Sequence, residues 1–474
     1  MTCSDVVTPV VTTSTGRVAG RTVDGISSFL GIPYAASPVG VAAFAAPSPT
    51  TPWDGVRDAT AYGPTAPQIA YQAPIAALLD NVIAPGDDYL NLNVWTPDPS
   101  AGGLPVMVWI HGGAFTRGSN RIAMYAGDTF ARDGVVCVGI NYRLGIAGFA
   151  SLPDAPENRG LRDQIAALHW VHDNIGAFGG DPNNITIVGE SAGAMSVASL
   201  LSSPAATGLF GRAIMQSGNG DAVADPADAR KVTARLADIL GTDPTAEMLS
   251  TIPVDQLLKA QSDVALEMTL EPNPAKWGAS VIGAGMGILS VFPVIDGEVL
   301  SARPVEAIAA GAGAGIPLLA GWNADEFRLF LVPTGLAANV SADLATGMLA
   351  LMGRRADALR QQIDAGVHPG DALCEALTRG AFVDPTTAVA TTRPDSPTYL
   401  YEFGWESTQA GIRAGHAVEI PFVFDHLADA HSLTGPDPDQ QVADEMHGAW
   451  VSFMTSGDAG WSAHGVNGEI RHFG

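Results

Sequence analysis

Residues 189–193, Gly-Glu-Ser-Ala-Gly, lie between an apolar run containing Ile185, Ile187 and Val188 and an Ala/Met/Leu stretch that continues to Leu200. These flanks predict a strand, a sharp turn and a helix, and such a turn holds a serine hydroxyl above the sheet edge beside a helix N-terminus. Ser191 is therefore the candidate nucleophile. A serine hydroxyl needs a general base, usually histidine, and that histidine needs an acid to fix its tautomer and stabilise its positive charge. On a sheet of this kind the chain order is serine, acid, histidine. Glu326 in GWNADEF directly follows the strand-like PLLAGW, and His416 in GIRAGHAVEIPFVFD follows PTYLYEF after a short loop. Acyl transfer also requires backbone N–H donors where the tetrahedral oxyanion develops. HGGAF, residues 111–115, follows the strand-like PVMVWI, which makes Gly113 and Ala114, with Ala192 after the serine, the natural donors. A phosphate loop is disfavoured, because there is no Walker lysine and no G-x-G-x-x-G opens a helix here.

Rival assignments exist for each role. Asp325 shares the turn with Glu326, and Asp296 in PVIDG also falls between serine and histidine but reads as a turn residue. His111 and His447 are alternative bases whose settings suggest structural roles. His169 and His172 are three apart on a helical pattern, but no third ligand accompanies them and no metal site is expected. Glu190, next to the nucleophile, either tunes local electrostatics or is a buried carboxylate that only receives hydrogen bonds.

The elements that must position these residues show a clear alternation. From Leu104 onward the pattern runs strand, loop, strand, helix, strand: PVMVWIHGG, GVVCVGINYR, LRDQIAALHWVHDNI, NITIVGE, then RAIMQSG and later PLLAGW and PTYLYEF. This predicts an α/β fold with a large, mostly parallel sheet flanked by helices. Residues 17–34 read as an antiparallel sheet edge. No repeat or clean linker is visible, so residues 1–474 are expected to form a single domain, with insertions at about 47–85 and 225–290 covering the site.

Composition narrows the function classes. Lys+Arg 24 against Asp+Glu 49 gives a formal net charge of −25, which repels phosphate backbones and anionic lipid surfaces and argues against nucleic acid as a partner. Cys3, Cys137 and Cys374 form neither CxxC pairs nor a disulfide framework. The N-terminus lacks a signal-peptide pattern and no apolar stretch is long enough to span a membrane, so a cytoplasmic location is expected.

The chain resembles the type B carboxylesterases, including bacterial members, a family of α/β-hydrolases to which the cholinesterases belong. FLGIPYA, DDYLNLNVW, HGGAF, NYRLGIAGF, GLRDQIAALHWVHDNIGAFGGDPNNITIVGESAG, SVFPVIDG, GWNADEF and HAVEIPFVFD carry the resemblance, whereas residues 337–394 match loosely. It implies Ser191 as nucleophile, His416 as base, Glu326 as acid and Gly113, Ala114 and Ala192 as oxyanion donors, with no cofactor. It also implies an ion pair between Arg143 and Asp163 beneath the site.

Three departures bear on the substrate. Tyr89 stands at the usual cysteine position, so the disulfide of many secreted members is absent. Leu79 occupies the place of the tryptophan that holds quaternary ammonium in cholinesterases. Gly287 and Leu289 replace bulky acyl-pocket aromatics. The expectation is a hydrolase of small, neutral esters with a lining free of fixed charge. A carbamate or amide hydrolase, or a non-catalytic cholinesterase-like binding protein, are the alternatives.

Overall fold

The computed structural model describes residues 8–474 apart from Met286, Gly353 and Pro394, and only the backbone of Val466 and Asn467. Cys3 lies outside the described residues. The apolar runs pair into one ten-stranded sheet: β1 (Arg21–Val23), β2 (Ile26–Pro33), β3 (Asn91–Thr96), β4 (Leu104–Ile110), β5 (Val136–Ile140), β6 (Gly180–Glu190), β7 (Arg212–Gln216), β8 (Leu318–Asn323), β9 (Thr398–Phe403) and β10 (Ile470–Phe473). Their spatial order is 10-9-8-7-6-4-5-3-2-1. The pairs β1–β2, β2–β3 and β3–β5 are antiparallel, and every pair from β5 through to β10 is parallel.

The central strands are apolar on both faces because both faces are covered. Side chains alternate across a strand, so Val106, Val108 and Ile110 of β4 enter one core while Met107 and Trp109 enter the other. The first core is closed by α1 (Arg159–Asn174) and α2 (Ala192–Ser202) through Leu161, Leu168, Val171 and Val197. Met446, Trp450 and Phe453 of α3 (Gln440–Ser456) close the second. On α1 the helical period buries those leucines and leaves His169 and His172 exposed. This is the α/β-hydrolase architecture expected from the sequence.

Two regions depart from the sequence reading. The stretch 17–34 divides between two sheets, since Gly16–Ala19 pairs instead with Val10–Thr13 and Val56–Asp58 in a separate three-stranded sheet. Within residues 337–394 the chain forms the helices Ala342–Leu351, Asp357–Asp364, Pro369–Thr378 and Asp384–Thr391, which the sequence reading left unassigned. Tyr89, at the position where the resemblance leads one to expect a cysteine, is buried, and its hydroxyl donates to Pro38 O at 3.1 Å. Cys137 and Cys374 are buried free thiols.

Arg143, just beyond β5, meets Asp163 of α1 with both side chains fully buried. The contact is bidentate, Nη2 to Oδ1 at 2.7 Å and Nε to Oδ2 at 2.8 Å, and Oδ2 also accepts the Arg143 backbone N–H. Asp163→Asn would leave a buried guanidinium without its counter-charge, at a cost of about 3–5 kcal/mol. The expected outcome is a lower denaturant midpoint with an unchanged slope. A loss below about 1 kcal/mol would show that the pair is not sealed from water as its burial indicates.

Candidate active site

β6 ends at Glu190 and α2 begins at Ala192, which leaves Ser191 alone at the turn with φ 56° and ψ −123°. A non-glycine residue in that region is strained, and the surrounding backbone over-determines it. Its N–H donates to Gln216 O of β7 at 2.9 Å, and its carbonyl accepts from Met195 N at 2.9 Å. The flanking glycines are required by close approach. A Cβ on Gly193 would lie 1.9 Å from Ile110 O, and one on Gly189 would lie 2.4 Å from the Gly193 carbonyl carbon.

The loops after β8 and β9 are tied together by Asp325 N to Ala414 O at 2.9 Å and His416 N to Glu326 O at 3.2 Å. This brings His416 Nε2 to 2.8 Å from Ser191 Oγ and His416 Nδ1 to 2.6 Å from Glu326 Oε2. Glu326 is fully buried, and its other oxygen accepts the Asn323 backbone N–H at 2.8 Å. Asp325 makes no such contact, and Asp296 caps its own turn by accepting the N–H groups of residues 298–300. His447 is engaged with Val423 O and Asp133, while His111 stacks on Tyr142 and burial pushes its pKa down to about 4.

Gly112, Gly113 and Ala114 line the cavity beside Ser191. Gly113, Ala114 and Phe115 all have positive φ, and Gly113 O accepts the N–H groups of Thr116 and Arg117. That coil leaves the N–H groups of Gly113 and Ala114 without an acceptor among the described residues. Ala192 opens α2, where first-turn N–H groups have no intrahelical partner.

Two further carboxyl groups surround the histidine. Glu190 Oε1 lies 3.1 Å from His416 Nε2, outside hydrogen-bonding geometry. Glu419 accepts from Asn323 Nδ2 at 2.7 Å and Gln216 Nε2 at 3.3 Å, and Trp450 Nε1 donates to the Gln216 amide oxygen at 2.9 Å. Burial pushes the carboxyl pKa of Glu190 up to about 8 and that of Glu419 up to about 7. Burial alone would lower the pKa of His416, but Glu190, Glu326 and Glu419 outweigh it and push it up to about 9. Only a neutral imidazole can accept a proton from a serine hydroxyl, so an activity that uses His416 as base is expected to be lost as pH falls through a pKa above the usual histidine value. Glu190→Gln removes one of the stabilising charges and should move that limb of kcat/KM to lower pH. An unshifted or alkaline-shifted limb would show that Glu190 does not act on His416.

The cavity beside Ser191 holds about 220 Å³ and is lined by Leu79 and Leu289, as well as by Phe330 and Phe382. These two phenylalanine rings flank His416, at 5.1 and 5.2 Å. Sequence reasoning missed both. Phe382 sits in a π-helical turn, Arg379–Val383, inside the loosely matching region. Gly287 is not among the lining residues. It occupies a positive-φ turn facing Met352 and borders a smaller cavity of about 50 Å³, which shares Leu289 with the first. The expectation of a lining free of fixed charge also fails, because Arg117, Asp80 and Glu190 all border the cavity. No described group of three His, Cys, Asp or Glu side chains is arranged to hold a metal ion, and no described helix is long and apolar enough to cross a membrane.

Comparison with known proteins agrees with this architecture. Para-nitrobenzyl esterase of Bacillus subtilis (strain 168) is 36% identical over 98% of this chain and 92% of its own length. Phenmedipham hydrolase of Pseudarthrobacter oxydans is 36% identical over 95% of this chain and 90% of its own. The crystal structure of Geobacillus stearothermophilus carboxylesterase EST55 superimposes with a TM-score of 0.83 at 35% identity, covering 98% of this chain and 96% of that one. The model of the carboxylesterase family matches residues 7–464, and the chain therefore belongs to that family of carboxylic ester hydrolases.

Proposed function

We propose that the protein hydrolyses small carboxylic esters through an acyl-enzyme on Ser191. The observation that carries this reading is the continuous hydrogen-bonded chain from Ser191 Oγ through His416 to the buried carboxylate of Glu326. His416 takes the serine proton as Oγ attacks the ester carbonyl, and Glu326 holds the Nδ1 tautomer and stabilises the imidazolium that forms. The N–H groups of Gly113, Ala114 and Ala192 receive the oxyanion. The imidazolium returns its proton to the departing alcohol, and a water activated by His416 then releases the acid.

Ile75, Leu79, Ile288 and Leu289 provide apolar lining suited to aryl and alkyl esters, neutral ones included, with acyl groups bulkier than acetyl. Each buried methylene contributes about 0.8 kcal/mol, so discrimination between neighbouring acyl lengths should be modest. Leu289→Phe is expected to depress kcat/KM for butyryl and benzoyl esters more than for acetyl. An unchanged acyl profile would remove Leu289 from the acyl side.

The reading is tested by labelling with a fluorophosphonate probe and locating the adduct by mass spectrometry. A single adduct on Ser191, absent from Ser191→Ala, is expected. Ester turnover with no adduct, or with an adduct on another residue, would overturn the mechanism.

A further inference from the structure

Arg117 follows directly on the oxyanion loop, and its side chain borders the same cavity as Ser191. The loop coils tightly enough that a Cβ on Gly113 would lie 3.2 Å from Arg117 Cγ, so the side chain starts against a candidate oxyanion donor. Its guanidinium lies over the Tyr71 ring at 4.8 Å from the centroid. Stacking on an aromatic face fixes the plane of a guanidinium without consuming its N–H donors. Among the described residues no side-chain or backbone acceptor takes them up. Nε is buried with no hydrogen-bond partner, and among the described residues no carboxylate forms an ion pair with Arg117. Neither acidic residue of the same lining is paired with it: Glu190 lies against His416, and Asp80 is exposed.

In a chain with twice as many acidic as basic residues, a half-buried arginine without a counter-ion in the reaction cavity stands ready for an anion from outside. A guanidinium fork matches the two oxygens of a carboxylate. Resting on the esterase reading above, we propose that Arg117 is a specificity-determining residue and that the preferred substrates are esters carrying an additional carboxylate, which its guanidinium binds while Ser191 attacks the ester carbonyl.

The test compares matched substrates with the carboxylate on either half of the ester. 4-Acetoxybenzoate against 4-acetoxybenzamide places it on the alcohol half, and the monophenyl ester of adipic acid against its primary amide places it on the acyl half. The readout is the anionic-to-neutral ratio of kcat/KM at low salt, corrected for hydroxide hydrolysis, in wild type, Arg117→Gln and Arg117→Lys. A wild-type ratio above one is expected in at least one arm, falling roughly tenfold or more in Arg117→Gln, retained in part by Arg117→Lys and reduced by added salt. A ratio at or below one in both wild-type arms, or one that Arg117→Gln leaves unchanged, would overturn the proposal.

Competitive inhibition of the wild type provides a measurement that requires no variant. Benzoate should bind more tightly than benzamide, with its advantage shrinking as salt rises, and equal inhibition would count against the site. Turnover within tenfold of wild type in Ser191→Ala would sink the acyl-enzyme reading itself, whereas Ser191-dependent turnover with an Arg117-independent ratio would sink only this inference.

Discussion

Ser191→Ala is expected to lower kcat for a 4-nitrophenyl ester by roughly a thousand- to a million-fold while leaving the circular dichroism spectrum and thermal unfolding close to wild type. The magnitude follows from the loss of the hydroxyl oxygen that lies hydrogen-bonded to His416 Nε2 at 2.8 Å. His416→Ala should fall into the same range, since a serine without its base is as poor a nucleophile as no serine. The double variant should be no worse than either single one, because in the proposed mechanism Ser191 and His416 act as one unit. Residual rate above that of water would come from the N–H groups of Gly113, Ala114 and Ala192 and from binding in the cavity. A folded Ser191→Ala protein within tenfold of wild-type kcat would remove Ser191 from the mechanism.

The parts of the site legible in the sequence were those determined locally. GESAG lies between a strand and a helix and closes a turn whose glycines are required by backbone contacts of about two ångströms, so the local pattern and the tertiary packing make the same demand. Glu326 and His416 each follow a strand-like run, and parallel pairing of β8 with β9 necessarily places both loops at the same end of the sheet. The residues missed are those whose position depends on distant segments. Phe382 meets His416 from a π-helical turn inside a region of weak periodicity. Glu419 lies three residues beyond His416, but its importance emerges only when Asn323 and Gln216 arrive from β8 and β7.

Gly287 and Leu289 illustrate the same limit at the scale of two residues. The resemblance pairs them as pocket positions, yet Gly287, in a positive-φ turn, borders only the side cavity while Leu289 lines both. Arg117 stands two residues beyond HGGAF, yet nothing in that stretch marks it as a charge in the cavity or as an unpartnered one. Its isolation is a property of everything around it, and no spacing within HGGAFTRG encodes it.

Glu326→Gln should reduce kcat by roughly ten-thousand-fold, although it changes one oxygen to a nitrogen in a site that can hold it without repacking. Glu326 Oε1 accepts the Asn323 backbone N–H at 2.8 Å, and only a carbonyl oxygen can replace it there. The glutamine carbonyl is therefore held towards Asn323 and its NH2 towards His416 Nδ1. That nitrogen must then act as acceptor, which places the imidazole proton on Nε2, the atom that has to receive the serine proton. Glu190 cannot rescue the variant, because it approaches Nε2 and leaves Nδ1 untouched. Loss of one carboxylate from around His416 should also move the acidic limb of kcat/KM to lower pH, since Glu326 is among the groups that raise the histidine pKa. Glu326→Asp, which keeps the charge but shortens the reach, should retain more activity than Glu326→Gln. A Gln variant within tenfold of wild type would show that the tautomer of His416 is held by something other than Glu326, and with it the assignment of the acid would fall.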